Sequence, residues 1–115
     1  MTHLFAALLL ALQNLASLAG NYQTQQMEVG AMLELKADGT FRYMLDYGAV
    51  SEAAEGHWSA KDGVVHLDSD PLAMDLMVQI ERSDAGFKDE KLAVEEGALV
   101  MQRHDTVFTF YRDDQ

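Results

Sequence analysis

The stretch from Leu33 to Leu67, LELKADGTFRYMLDYGAVSEAAEGHWSAKDGVVHL, constrains the fold of this chain more than any other part of it. Leu33 and Leu35 alternate with Glu34 and Lys36. Phe41, Tyr43, Leu45 and Tyr47 alternate with Arg42, Met44, Asp46 and Gly48. A period of two is the mark of a strand with one buried face. Directly paired residues share a face, so loop lengths follow from parity. A three-residue loop over Ala37-Asp38-Gly39 pairs Leu35 with Phe41 and Leu33 with Tyr43; a two-residue loop would mix the faces. The expectation is a type I turn with Gly39 at positive φ as a bulge. The same test at Lys61-Asp62-Gly63 gives a two-residue type I′ turn, which sets Trp58 and Ala60 on one face with Val65 and Leu67.

The rest of the chain extends this rhythm. Gly20 to Val29 is a polar first strand. If Tyr22 faces inward, Gln26 and Glu28 do too. Buried acids are rare without partners, so an edge or rim position is expected for this strand, with a polar ligand site as the alternative. Gly48 to Glu55 reads as a loop or single helical turn, able to act as a lid. Asp68-Ser69-Asp70-Pro71 breaks the chain. Leu76, Val78 and Ile80 then alternate as another strand, and Ser83 to Glu90 reads as a polar loop. Leu92 and Val94 begin a strand that turns at Glu96-Gly97. Leu99 and Met101 match Phe108 and Phe110 in parity across a His104-Asp105 turn. About eight short antiparallel strands without crossover helices make an all-β chain, an up-and-down barrel or a sandwich; a single up-and-down barrel over residues 20–115 is the expectation. Closure abolishes sheet edges.

Ahead of the barrel, Met1 to Ala19 holds no Asp, Glu, Lys or Arg. The apolar run Leu4 to Leu12 is too short to span a bilayer and suits the core of a signal peptide over residues 1–19, with cleavage after Ser17-Leu18-Ala19. A periodplasmic or secreted protein is expected from this. The alternative is a retained N-terminal helix with Leu4, Leu8, Leu12 and Leu15 on one face.

The opening of the barrel carries a resemblance. Leu18-Ala19-Gly20-Asn21-Tyr22, Leu33-Glu34-Leu35, Ala37-Asp38-Gly39-Thr40-Phe41, Glu55-Gly56-His57-Trp58 and Asp62-Gly63 follow one another in order. Over residues 18–69 the chain resembles the bacterial lipocalin-like domains. The resemblance implies a small calycin-type barrel and no particular reaction. Tyr22 stands where lipocalins proper place tryptophan, and the chain is short for a lipocalin; both weigh against a roomy cavity.

Charge and composition narrow the function. With 19 acidic and 8 basic side chains the formal net charge is −11, which repels phosphate backbones and anionic lipid head groups. Nucleic acid is therefore not an expected partner, nor is a stable membrane span. There is no cysteine, hence no disulfide, Cys-ligated zinc or thiol chemistry. His57, His66 and His104 are candidate metal ligands, and the barrel registers would bring His57, His66 and Asp68 onto one outer face, but no metal-binding spacing is present. The methionines follow no Met-x-x-Met pattern and read as core filling, with Met44 and Met77 on the polar face by parity. Glu95-Glu96 and Asp113-Asp114 read as solvated charge. No phosphate loop, serine elbow or nucleophile–base pair occurs, so neither an enzyme nor a cofactor is expected.

The expected inner face holds Tyr22, Phe41, Tyr43, Tyr47, Trp58, Phe108 and Phe110 among aliphatics that include Leu76, Val78 and Ile80. Two functions compete for it. In the first, a small, mainly apolar ligand sits in the barrel mouth near Tyr43, Tyr47 and Trp58, with Gln26 and Glu28 as polar contacts and Gly48–Glu55 as lid. In the second, the barrel is filled by its own side chains and works as an interaction or inhibitor module, its acidic exterior meeting a basic protein partner.

Overall fold

Strand parity closes this chain into a barrel. The structure is a computed structural model, and it describes residues 17–113. Its strands are β1 (Gly20–Thr24), β2 (Val29–Leu35), β3 (Thr40–Tyr47), β4 (Val50–Lys61), β5 (Val64–Asp70), β6 (Ser83–Asp84), β7 (Glu90–Glu95), β8 (Ala98–Arg103) and β9 (Thr106–Arg112). One helix, α1 (Met74–Ile80), lies between β5 and β6. Antiparallel pairing runs β1-β2-β3-β4-β5-β7-β8-β9 and returns to β1, closing an eight-stranded barrel; β6 adds a short parallel pairing at Glu52 and Ala53, near the start of β4.

The hairpin registers follow the parity argument. Leu35 pairs with Phe41 and Leu33 with Tyr43. Gly39 sits at φ 91°, and Asp38 caps the turn by accepting bonds from the Thr40 amide and hydroxyl. Trp58 pairs with Leu67 and Ala60 with Val65, across Asp62 and Gly63 at φ 54° and 75°, as a type I′ turn requires. Leu99 faces Phe110, and Met101 faces Phe108. β1 is no edge strand: it is hydrogen-bonded to β2 on one side and β9 on the other.

Three other expectations are corrected. Gly48 to Glu55 is not a lid. Gly48 and Ala49 alone make the turn, and Val50 already pairs with Tyr47 as β4 begins. Leu76, Val78 and Ile80 do not form a strand. Met74 to Ile80 is rich in helix formers and has no partner strand, so the short apolar run closes its own helical bonds. Of the described methionines only Met101 fills the core: Met27, Met32 and Met74 are exposed, and Met44 and Met77 are half-buried.

The interior is packed. Tyr22, Leu33, Leu35, Phe41, Tyr43, Leu45, Leu67, Leu92, Leu99, Met101, Phe108 and Phe110 each keep 1% or less of their surface. Side chains this closed leave no water-sized void beside them. Tyr43 meets the Phe87 ring edge-on at 4.8 Å, and Tyr47 meets Phe108 at 5.5 Å and 82°. Aromatic pairs of this kind add to the burial of their area.

Gly56 lets the backbone of β5 approach β4 closely. A Cβ at this position would lie 2.1 Å from the Asp68 carbonyl oxygen and 2.9 Å from the Ser69 Cα, both backbone atoms. Backbone cannot rotate aside as a side chain can. Gly56→Ala is expected to cost about 1–3 kcal/mol or more, the range for overpacking. Equilibrium urea unfolding measures it; an unchanged midpoint would mean that β5 moves freely away from β4.

Candidate functional site

Parity also carries charges into one end of the barrel. Counting back by two from Trp58 along β4 gives Gly56, Ala54 and Glu52 on the inner face. Counting forward from Leu99 and Met101 along β8 gives Arg103. Glu52 is 5% exposed. Its Oε1 accepts bonds from Arg103 Nε at 2.8 Å and the Tyr43 hydroxyl at 2.8 Å, and lies 3.1 Å from His104 Nε2. Its Oε2 accepts from Arg103 Nη2 at 3.0 Å. The two-point clasp is the strong geometry for guanidinium and carboxylate.

Arg103 does more than neutralise Glu52. Its Nη2 also donates to the Ala85 carbonyl at 3.1 Å, and its guanidinium lies 5.0 Å from the centre of the Phe87 ring. Phe87 is 3% exposed, although it sits in the stretch expected to be a polar loop. That stretch is corrected: Ser83-Asp84 is β6, and Phe87 turns inward to plug the barrel end against Phe41, Tyr43 and Arg103.

The electrostatics fix the roles. Burial pushes the Glu52 carboxyl up, but hydrogen bonds from Arg103, His104 and Tyr43 outweigh it and hold the group below the ordinary glutamate value. Arg103 is raised, chiefly by its bond to Glu52. Tyr43 is raised by burial and by the Glu52 charge beside it, so its hydroxyl stays protonated and donates. A carboxylate accepting from three side chains, with its proton affinity lowered, is a clamp and a poor general base.

Glu90 is the strained member of the group. It lies 3.7 Å from Arg103, and burial raises its carboxyl above the ordinary value, with Glu52 adding to the shift. An acid with a raised folded pKa costs stability in full above that folded value; the cost shrinks as pH falls below it and is gone below the unfolded pKa. Glu90→Gln is therefore expected to stabilise the protein near pH ~7, with the gain vanishing in acid. Urea midpoints across that range measure it; a loss at neutral pH would make the Arg103 contact worth more than the burial cost.

This clamp anchors an excursion. Between β5 and β6 the chain leaves the barrel and forms α1, none of whose residues is buried. Met74 is 76% exposed, Val78 72% and Leu76 36%. Its base is pinned from several sides. Arg82 reaches Asp46 at 2.7 Å and the Ile80 carbonyl at 3.2 Å, and Asp84 accepts from the Leu72 amide. Glu81 ends the helix in the left-handed conformation, its amide bonded to the last turn. An open cleft of about 720 Å³ lies between this base and the barrel, lined by Ala49 to Glu52, Glu81 to Ser83 and His104.

The residues expected to bind a ligand are spread around the barrel. Tyr43 is at the clamp, its hydroxyl taken by Glu52. Tyr47 is at the same end, its hydroxyl 3.1 Å from the Thr106 Oγ1. Trp58 belongs to the other end, where its indole donates to the Lys36 carbonyl at 2.8 Å and its amide to that of Gly39. It does not share a mouth with Tyr47. β1 ends at Thr24, so the parity that carried Gln26 and Glu28 inward is broken. Gln26 lies on the rim, bonding the Val107 carbonyl and Thr109 amide and so prolonging the ladder of β9. Glu28 is exposed in the turn at φ 64°.

The three candidate metal-ligating histidines go to three separate carboxylates: His57 to Asp70, His66 to Asp89 and His104 to Glu52. Among the described residues no three His, Asp or Glu side chains converge as a metal site requires. No helix among them is long and apolar enough to cross a membrane. The expected signal peptide, residues 1–19, falls largely outside the described residues. The two just before its expected end are tied to the barrel, with the Tyr22 hydroxyl bonded to the Leu18 carbonyl and Arg112 to that of Ser17.

Fold and site together define a closed, side-chain-filled β-barrel with an ion-paired end and an exposed helical excursion. No family model, curated protein or solved structure matches the chain.

Proposed function

We propose that this protein is a protein-interaction module, a filled barrel that displays its excursion to a partner and catalyses no reaction. One contrast supports the reading: large side chains of the barrel interior are shut to 1% exposure or less, while Met74, Leu76 and Val78 of α1 stand in solvent. A ligand pocket needs the opposite arrangement, with apolar walls inside and a polar handle free. Here the polar tips of Tyr43, Tyr47 and Trp58 are already bonded within the protein. Exposed apolar surface rimmed by charge is characteristic of interaction sites.

Export to the periplasm or outside the cell belongs to this proposal and rests on the apolar, charge-free start of the chain. Kinship with the lipocalin-like domains belongs to it as regards fold alone, resting on the motif order of residues 18–69. Intact mass of protein purified from its native host tests the function. The masses under native and denaturing conditions are expected to agree. Extra mass lost on denaturation would mean a bound small molecule and would overturn the interaction reading in favour of the pocket. The denatured mass also reports the N-terminus, with a start at Gly20 expected.

A further inference from the structure

We propose that α1 is the docking element and that its partner is a basic amphipathic helix of another protein. The inference rests on the interaction-module reading and adds the occupant. A seven-residue helix is far below the length that holds itself in water. Tertiary packing normally supplies the difference, yet α1 has no fully buried side chain: Met77 and Ile80 are half-buried, and its other face is open. Met74 and Val78 stand one turn apart on the same face and are its most exposed apolar residues. A second helix laid along this face would bury both, in the ordinary geometry of helix pairs.

Beside the excursion the surface remains soft. Met32 and Met44 line a shallow exterior groove with Asp46 and Arg82, next to the point where α1 rejoins the barrel. Flexible thioether side chains adapt to different apolar partners.

Charge selects among occupants. Residues 68 to 84 hold five acids, Asp68, Asp70, Asp75, Glu81 and Asp84, and a single base, Arg82. That base is spent on Asp46 at 2.7 Å. The excursion therefore repels a second copy of this chain, whose own net charge is −11, and repels anionic lipid. A segment carrying Leu on one face and Lys or Arg on the other meets both the apolar stripe and the acidic flanks.

The test uses the full chain and three synthetic peptides of about 16 residues, long enough to approach helical stability. One is an amphipathic Leu/Lys helix, one is the same composition shuffled to destroy the stripe, and one replaces Lys by Glu. Binding is followed by fluorescence anisotropy and by backbone amide shifts. The Leu/Lys helix is expected to bind, to weaken with added salt, and to shift amides between Leu72 and Arg82. Its affinity should fall about tenfold or more for the shuffled peptide, and likewise for the Met74→Ser/Val78→Ser variant. Both side chains stand in solvent, so the variant should keep the near-ultraviolet circular dichroism of the barrel.

Equal binding of the shuffled peptide would reduce the interaction to bulk charge and overturn the proposal. So would preference for the Glu peptide, shifts confined elsewhere on the barrel, an indifferent double variant, or no binding of the Leu/Lys helix. Dimerisation of the wild type that the double variant abolishes would also overturn it, by making a second copy the occupant. The native mass separates the two levels: a mass free of small molecule with no peptide binding removes this partner and leaves the interaction module standing.

Discussion

Arg103→Met should destabilise the protein by on the order of 3–5 kcal/mol, the usual cost of breaking a buried pair from one side. The substitution leaves Glu52, 5% exposed, with only the Tyr43 hydroxyl and His104 for company. It also strips the Ala85 carbonyl of a donor and the Phe87 ring of its cation. Equilibrium urea unfolding would show the loss as a lower midpoint, the slope staying the same if the barrel remains closed.

A merely weakened core would give a similar loss, so the pH dependence is the sharper readout. In the wild type the Glu52 pKa is held below its unfolded value. Its contribution to stability is then fully present above the unfolded pKa and is lost as pH falls through the folded one. Without the guanidinium, burial dominates and the carboxyl rises above its unfolded value. The sign reverses: the variant pays for the charge at neutral pH and regains stability as acid protonates Glu52. The gap between wild type and Arg103→Met should thus narrow from about pH 7 to about pH 5. A constant gap would mean that Glu52 finds water or another cation. Adding Glu52→Gln to Arg103→Met removes the stranded charge and should recover part of the loss; an additive double variant would show the two groups to be uncoupled.

How much of this was legible in the sequence depends on which constraint was local. The hairpins were readable because turn chemistry and parity fix the register together, as at Asp38-Gly39 and Asp62-Gly63. The clamp was readable by the same rule. Parity from Trp58 reaches Glu52, and parity from Met101 reaches Arg103, two opposite charges bound for one interior. The signal was lost where Gly48 to Glu55, with its run of small and acidic residues, reads as a connection. At the other end Arg112 follows Phe108 and Phe110 inward by the same count and meets the Tyr22 hydroxyl at 2.8 Å. The excursion lacked any such rule. MDLMVQI satisfies a period of two as readily as a helical period, and nothing in the chain says that no strand waits beside it. The exposed methionines were hidden for a related reason: Met is apolar in composition, and its place is decided by partners that the sequence does not print.

Phe87→Ala carries the second large effect, on the order of 3–5 kcal/mol for removing a buried aromatic. Nothing in Ser83 to Glu90 announces it, since one phenylalanine among Asp, Gly, Lys and Glu has no periodic company. The structure gives it a core's worth of contact. Its ring is 3% exposed, 4.8 Å from Tyr43, 6.2 Å from Phe41 and 5.0 Å from the Arg103 guanidinium. Its amide donates to the Ser69 Oγ, and its carbonyl accepts from the Ser69 amide, so its backbone is tied to Ser69 of β5. Removing the ring opens a cavity under Arg103 at the end of the barrel that carries the excursion. Phe87→Leu refills part of that volume without the aromatic face, and should cost less than Phe87→Ala. Because β6 and the Arg82–Asp46 bridge hold the base of α1 independently, amide exchange in the barrel should quicken more than exchange at the helix. The opposite order would make Phe87 a support of the excursion first and of the barrel second, and an unchanged urea midpoint would remove it from the core altogether.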